Sequence, residues 1–417
     1  MGRRRARDTG EASEEDDAEL TEQRPLGTRH GSRITTWLGV VVLLLGLFSY
    51  VHFIVSPRYS AAITDFGRDI AAARAVDYGI NPYQRLGDLS DAIPELAVAT
   101  EVERQWVAHS PLSIAAARAA RMLLGDRAEE VGKFGVILAT VLLVSGIAFR
   151  GLRSTHSIPW FGLSAAVLLS IGVEADLHWI QAASLHALLL GVVLWADRSK
   201  KHGIALLLLG VVVAWRPWCW PLALFLPEST KPIRDGVAVA AVAGAATLAV
   251  LPVVGGLPSL VRWLTLALPE NASQYLADDW NLALTSMLWP AGAVVAVATV
   301  LYLGLVSSRQ REPSLRPRIG ALTTLLLLPL VWSHYWLGLL TFLLPERTSR
   351  DAQPLLLGLA YLAMAVTFVG WSAPAARAGA VLALGLLVLA MVIEMPGKGW
   401  SPTLPSRLTD RATMQKS

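Results

Sequence analysis

The sequence holds a single cysteine, Cys219, so no intramolecular disulfide can form and cysteine usage says nothing about redox compartment. Its neighbours Trp218 and Trp220 suit a buried, inert thiol. Charge is scarce too: 16% of the 417 residues are Asp, Glu, Lys or Arg, against about 25% in a soluble domain. There is no Gly-rich phosphate loop opening a helix after a strand. No Cys/His group or paired histidines fall at metal-ligand spacing, so no metal and no cofactor is expected. No repeat of fixed period occurs, which excludes a solenoid.

What the sequence has in abundance is apolar length. Hydrophobic residues make up 54% of it, and the mean hydropathy is +0.49. Runs such as Trp37 to Ile54 and Val237 to Val254 match the roughly 30 Å hydrocarbon core of a bilayer. The expected fold class is all-α integral membrane, with about twelve transmembrane helices. The first span is expected at 34–55. The others are expected near 133–150, 157–173, 179–197, 203–215, 217–228, 235–255, 283–307, 318–334, 335–346, 353–372 and 375–396. Residues 1–33 mix Arg3, Arg4, Arg5 and Arg7 with Glu14, Glu15, Asp16 and Asp17 and read as a disordered cytoplasmic tail rather than a cleavable signal. Residues 397–417 form a second cytoplasmic tail.

The net charge of +4 and pI near 9.3 do not point to nucleic acid. The basic residues sit in short loops: Arg150 and Arg153; Arg198, Lys200 and Lys201; Lys231 and Arg234; Arg309, Arg311, Arg316 and Arg318; Arg347 and Arg350. The short loops on the opposite side carry only Arg262 and Arg377. The positive-inside bias then places the chain as a multi-pass cell-membrane protein with a cytoplasmic N-terminus. Residues 56–132 become a long extracytoplasmic loop. Its two amphipathic stretches, Phe66 to Tyr78 and Leu112 to Leu124, are expected to lie along the membrane surface. Two apolar stretches are broken, Gly203 to Leu226 at Pro217 and Pro221, and Ile319 to Leu344 at Ser333-His334. Broken helices persist only where protein or a water-filled cavity satisfies the freed backbone.

With this topology, six polar segments converge on the non-cytoplasmic face. They hold Asp65, Arg68 and Asp69; Asn81, Tyr83 and His109; Glu174, Asp176, His178 and Gln181; Trp215 and Arg216; Asp278, Asp279, Trp280 and Asn281; and Trp332, Ser333, His334 and Tyr335. Charged groups near membrane depth suggest a functional site by default. A carboxylate can act as general base toward a hydroxyl, an Arg and a His can neutralise a phosphate, and aromatic rings can stack on sugar faces. An outward-facing enzyme cannot draw on cytosolic nucleotide sugars, so a lipid-carried phosphate donor is the natural substrate.

Several short motifs stand in a recognisable order: Asp65-Phe66 after the first span, Gly79-Ile80-Asn81-Pro82-Tyr83, His109-Ser110-Pro111-Leu112, Gln181, Arg216-Pro217 and Trp332-Ser333-His334-Tyr335. In this the chain resembles the GT-C glycosyltransferases, and within them glycosyltransferase family 87, the actinobacterial mannosyl- and arabinofuranosyltransferases that use polyprenyl-phosphate sugars. The likeness runs from about residue 34 to 396, so that 34–396 is expected to form a GT-C-type transmembrane domain. Arg216 stands where a Lys is usual, Ser110 where the first Pro is usual, and Ile180 where a Gly precedes the Gln. The resemblance implies inverting transfer without a nucleotide. Asp65 would be the base toward the acceptor hydroxyl, and His334 and Arg216 would hold the donor phosphate.

The competing role for Asp65 is a helix N-cap, which Thr64 could fill instead. Asp69 could pair with Arg68 or cap the surface helix. Glu174, Asp176 and His178 suit a solvated turn. The expected function is transfer of a glycosyl residue, mannose first, from a polyprenyl-phosphate donor to a lipid-linked or cell-wall glycan. An arabinofuranosyl donor is the alternative within the class, and a lipid-linked-substrate transporter or a scaffold the alternative outside it. Candidate site residues are Asp65 for catalysis and Arg216, His334, His109, Gln181, Tyr83, Asn81, Trp280, Tyr335 and Asp69 for substrate binding. The expected partners are the donor, the glycan acceptor and membrane lipid, with no nucleic acid.

Overall fold

The computed structural model describes residues 27–55, 63–93, 96, 102–154, 157–276, 281–287, 290–310, 315–329, 331–345, 352–366 and 373–394. Among them every regular element is helical and no strand forms. In order these are α1 (Gly27–Val55), α2 (Asp65–Asp77), α3 (Leu86–Ala92), α4 (Pro111–Leu124), α5 (Ala128–Leu152), α6 (Ser157–Leu168), α7 (Ile171–Trp179), α8 (Ala183–Arg198) and α9 (His202–Trp215). A 3-10 helix over Pro217–Phe225 follows, then α10 (Pro232–Val250), α11 (Gly256–Arg262), a π turn, α12 (Leu268–Leu276), α13 (Leu284–Met287) and α14 (Ala291–Gln310). The last are α15 (Arg316–Leu327), α16 (Ser333–Gly338), α17 (Leu340–Leu343), α18 (Ala352–Val366) and α19 (Ala373–Glu394).

Among the described residues, three helical stretches are long and apolar enough to cross a membrane: Pro111–Leu152, Pro232–Val253 and Pro374–Ile393. Ile158–Leu168 with Gly172–Trp179, bent by 41°, makes a fourth if counted as one span. Shorter apolar helices include Gly39–His52, His202–Trp215, Ala291–Tyr302 and Gln353–Met364. Of the Pro232–Val253 stretch only 11% is buried inside the protein, and α5 turns Phe134, Leu138, Leu142 and Phe149 outward. Apolar side chains facing away from the protein are what a helix against lipid presents.

Several elements differ from expectation. α1 starts at Gly27, inside the stretch expected to be tail, while residues 1–26 and the second tail lie outside the described residues. The expected span at 217–228 is a 3-10 helix of nine residues. Pro217 and Pro221 carry no amide hydrogen, so the chain cannot continue the α-helical ladder through them. The second broken stretch parts earlier than expected. α15 ends at Leu327, and Ser333-His334 opens α16 rather than interrupting a helix. The two amphipathic stretches become α2 and α4 within a residue of their expected bounds. However, α4 leads through a 3-10 turn at Gly125–Arg127 directly into α5, so the helical path Pro111–Leu152 runs 42 residues.

The packed interior has two parts. A large core joins α1, α5, α6, α8, α9, α15, α18 and α19. A smaller one gathers Ala71, Ala72 and Ala75 of α2, Leu86 and Leu89 of α3, Tyr83, Trp106, Ile114, Leu251 and Trp263. This second core is a cap that covers one end of the bundle. It is stitched by Trp263 Nε1 donating to the Ala108 carbonyl at 2.9 Å, Arg262 Nε to the Tyr83 carbonyl at 2.8 Å, and Arg118 to the Val253 carbonyl at 2.8 Å. Arg118 and Arg121 also pair with Asp77. α8 runs away from this cap and α9 runs back to it, so Lys200 and Lys201 lie at the far end. Sixteen residues of α8 span roughly 24 Å, most of a hydrocarbon core.

Candidate functional site

Thr64 settles the competing role for Asp65. Its Oγ1 accepts the Gly67 amide at 2.8 Å and donates to Glu129 Oε1 at 2.5 Å. Thr64 is therefore the N-cap of α2, and the Asp65 side chain is left for other work. The cap and the Ala-rich face of α2 then point Asp65 and, one turn on, Asp69 into the seam between cap and bundle. Both are buried, at 7% and 6% exposure.

Five segments meet at Asp65. Arg68, on the same helix, stands 3.3 Å from its Oδ1. Gln181 donates its side-chain amide to Oδ2. His109 Nε2 lies 3.7 Å from the same oxygen, and His109 Nδ1 lies 2.8 Å from Asp69 Oδ1. Arg216, at the end of α9, donates to the Gln181 carbonyl and lies 5.4 Å from the centre of the Trp215 ring. His334, in the first turn of α16, is buried and lies within electrostatic range of Asp65, Arg216 and His109. Burial opposes ionisation of Asp65, but its electrostatic interactions with Arg68 first, and then with His109, His334 and Arg216, outweigh it and hold the carboxyl below the usual carboxylate range. Asp65 is an anion ringed by cationic and hydrogen-bonding groups.

Local structure explains how each partner is placed. Ser110 N-caps α4 by accepting the Ser113 amide at 3.3 Å and donates to the Trp215 carbonyl at 2.9 Å. It thereby ties the His109 loop to the end of α9. Ile180 and Ala182, on either side of Gln181, have φ of +50° and +55°. A β-branched residue rarely adopts that left-handed conformation, and glycine does so freely. Asp176 fixes the same turn, its two oxygens accepting the Ala183 and Ser184 amides at 2.7 and 2.8 Å. Asp176 and Glu174 are buried on α7, not on the expected solvated turn. Tyr335 stacks on Trp218 at 4.3 Å and 12°, extending the aromatic wall from the site into the bundle.

Asn81 and Tyr83 belong to the cap. Asn81 Oδ1 accepts the Tyr83 amide at 3.0 Å. Tyr83 is fully buried, 6.2 Å from the Trp263 ring, and its pKa is pushed up by burial and then by Asp69. Trp280, Asp278 and Asp279 lie outside the described residues. Among the described residues no group of His, Cys, Asp or Glu is arranged to hold a metal ion.

Compared with known proteins, the chain matches no family model, no curated sequence and no solved fold.

Two contributors were not among the candidate site residues drawn from the sequence. Asn281 is completely buried. Its Oδ1 accepts the Ala283 and Val331 amides at 3.1 and 3.0 Å, and its Nδ2 donates to the Pro329 carbonyl at 3.0 Å. That clamp sets the extended strand of chain leading to His334. His186 of α8 is 1% exposed and packs 4.9 Å from Trp218, beneath the Tyr335 stack. Asn281 stands in the polar loop the sequence shows, whereas His186 sits in an apolar run with no local signal.

Proposed function

We propose that the chain is a membrane glycosyltransferase of GT-C type that moves a sugar, mannose first, from a polyprenyl phosphate to a lipid-linked or cell-wall glycan. The observation that carries this reading is the buried, ionised Asp65 with Arg216 and His334 beside it. A base and an anion-binding pair are what an inverting transfer from a phosphate donor requires. In this reading the bundle has about twelve spans, the cap faces the extracytoplasmic side, and the Lys- and Arg-rich turns at the far end of α8 and α9 lie in the cytoplasm. That orientation agrees with the positive-inside bias.

The chemistry follows from the groups at hand. Arg216 and His334 receive the phosphate that links sugar to lipid, the guanidinium matching its oxygens in a planar fork. The acceptor hydroxyl lies on the opposite face of the sugar, next to Asp65. As the acceptor oxygen bonds to the anomeric carbon, Asp65 takes the hydroxyl proton and the carbon–oxygen bond to phosphate breaks with its electron pair going to the phosphate. Configuration inverts. Because the donor leaves as a phosphate monoester anion, no proton is needed on the leaving group. Arg68 and Gln181 orient the Asp65 carboxylate, and the stacked Trp218 and Tyr335 offer an apolar face to sugar or lipid.

The test is transfer by purified protein in nanodiscs, supplied with labelled polyprenyl-phosphate-mannose or the arabinofuranosyl counterpart and a crude lipoglycan acceptor. Asp65→Asn is nearly isosteric and is expected to lower kcat by about 10²–10⁴-fold. Transfer from the arabinofuranosyl donor alone would change the sugar and keep the reaction. Folded protein that transfers from neither donor would sink the enzyme reading in favour of a transporter.

A further inference from the structure

A buried base must lose its proton before the next turnover, and both Asp65 oxygens are occupied. Arg68 and Gln181 are donors with no capacity to take a proton. Among the described side chains that hydrogen-bond or ion-pair with an Asp65 oxygen, which are Arg68, Gln181 and His109, His109 is the one that can accept. Its Nδ1 lies 2.8 Å from Asp69 Oδ1. An ionised carboxylate only accepts, so Nδ1 carries the hydrogen and Nε2 of the neutral ring offers a lone pair. That nitrogen stands 3.7 Å from Asp65 Oδ2, outside the roughly 2.7–3.2 Å of a hydrogen bond. Two acceptors facing one another stay apart. A proton on Asp65 turns them into donor and acceptor, and the gap closes.

The surroundings fit the same role. The His109 backbone is fixed on both sides, by Trp263 on the Ala108 carbonyl and by Ser110 on the Trp215 carbonyl, each at 2.9 Å. The His109 side chain is 23% exposed, against 10% for Asp65 and 9% for Asp69, so it is the member of the three with a way to water. The charged and titratable groups around the pair it forms with Asp65 are Asp65, Arg68 and Asp69 of α2, Arg216 at the end of α9, and the imidazole of His334 in α16.

We propose that Asp69 and His109 form a proton relay that resets Asp65 after each sugar transfer. The proposal rests on the transferase reading above. The acceptor hydroxyl proton first goes to Asp65 during transfer. It then passes to His109 Nε2, giving an imidazolium whose Nδ1–H is held by the Asp69 carboxylate, and Asp65 is again an anion. The imidazolium finally releases the proton to water. No bond other than O–H and N–H changes in the reset, and no further reactant is needed. Asp69 and His109 act through Asp65 and do not touch the sugar.

The experiment measures kcat and KM across pH for the full-length protein in nanodiscs, with whichever of the two polyprenyl-phosphate donors the wild type uses. His109→Gln and Asp69→Asn are each expected to lower kcat by about 10–100-fold with KM for the donor unchanged. His109→Gln should also lose the acid limb of the wild-type kcat profile, which a merely structural role would leave in place. Added imidazole should restore His109→Ala but not Asp65→Asn, and the double variant should be no slower than either single one. A His109→Gln enzyme with wild-type kcat and an unaltered pH profile overturns the relay and leaves the transferase reading intact. Folded wild type that transfers from neither donor removes both.

Discussion

Gly172 lies in the first turn of α7, against the residue before His334. A Cβ there would stand 2.8 Å from the Ser333 carbonyl oxygen and 3.5 Å from Leu337 Cβ. The first contact is with backbone, so no flexible side chain can swing away. For Gly172→Ala, helix and turn must part by about 0.6 Å to reach ordinary contact at 3.4 Å. Ser333 opens α16, and the displacement passes directly to His334. A misplacement of about 1 Å at a reacting centre can cost about 10²-fold in rate, so transfer should fall by about 10-fold. Overpacking costs about 1–3 kcal/mol, and the better helix propensity of alanine returns about 0.5–1 kcal/mol. The net is a loss of about 0–2.5 kcal/mol. Initial transfer rates at saturating donor and thermal unfolding in the same detergent measure both. Gly162→Ala on α6, where the new methyl meets nothing within 4 Å, is the control and should be neutral or slightly stabilising. If Gly172→Ala matches that control in both assays, the close approach does not position the turn, and the argument fails.

Two further outcomes are expected. Ala182→Gly relieves a left-handed residue at φ +55° and should raise unfolding stability by about 0.5–1 kcal/mol; a decrease on denaturant titration would show that the methyl's packing outweighs the strain. At the far end of the bundle, His202 bridges Asp197 at 2.5 Å and Asp235 at 3.0 Å. Burial lowers its pKa, but hydrogen bonds to the two carboxylates prevail and raise it. The stabilisation is complete below its unfolded value of about 6.5 and is lost as pH rises through the raised folded value. The melting temperature should therefore decline as pH rises beyond about 6.5 in the wild type, and that decline should vanish in His202→Gln. A His202→Gln variant that shows the same decline with rising pH would refute this.

Much of the site was legible locally. Asp65 and Asp69 fall one turn apart at the head of an amphipathic stretch, and a threonine stands where a cap belongs. Pro217 and Pro221 announce the end of α9, because proline cannot donate the helical hydrogen bond. Gln181 and His334 are polar residues in apolar surroundings, the kind of cost that a chain retains only with a use for it. Pattern was less helpful where partners come from distant segments. The burial of Asp176 as a cap for α8 depends on which way neighbouring helices turn their faces, whereas the pairing of Arg68 with Asp65 rather than Asp69 follows the i,i+3 spacing of one helix.

By itself the sequence determined that the chain is helical and apolar, and where α2, α4 and the proline break fall. Those follow from short-range causes: periodicity, capping and missing amide hydrogens act within a few residues. Only the tertiary structure decided that the described residues of 63–115 fold together with 251–267 into one cap, and that Asn281 clamps Val331 ahead of His334. It also placed His109 between two carboxylates that precede it by 40 and 44 positions. Such contacts arise from packing across the whole bundle, where the position of one side chain depends on every helix between it and its partner.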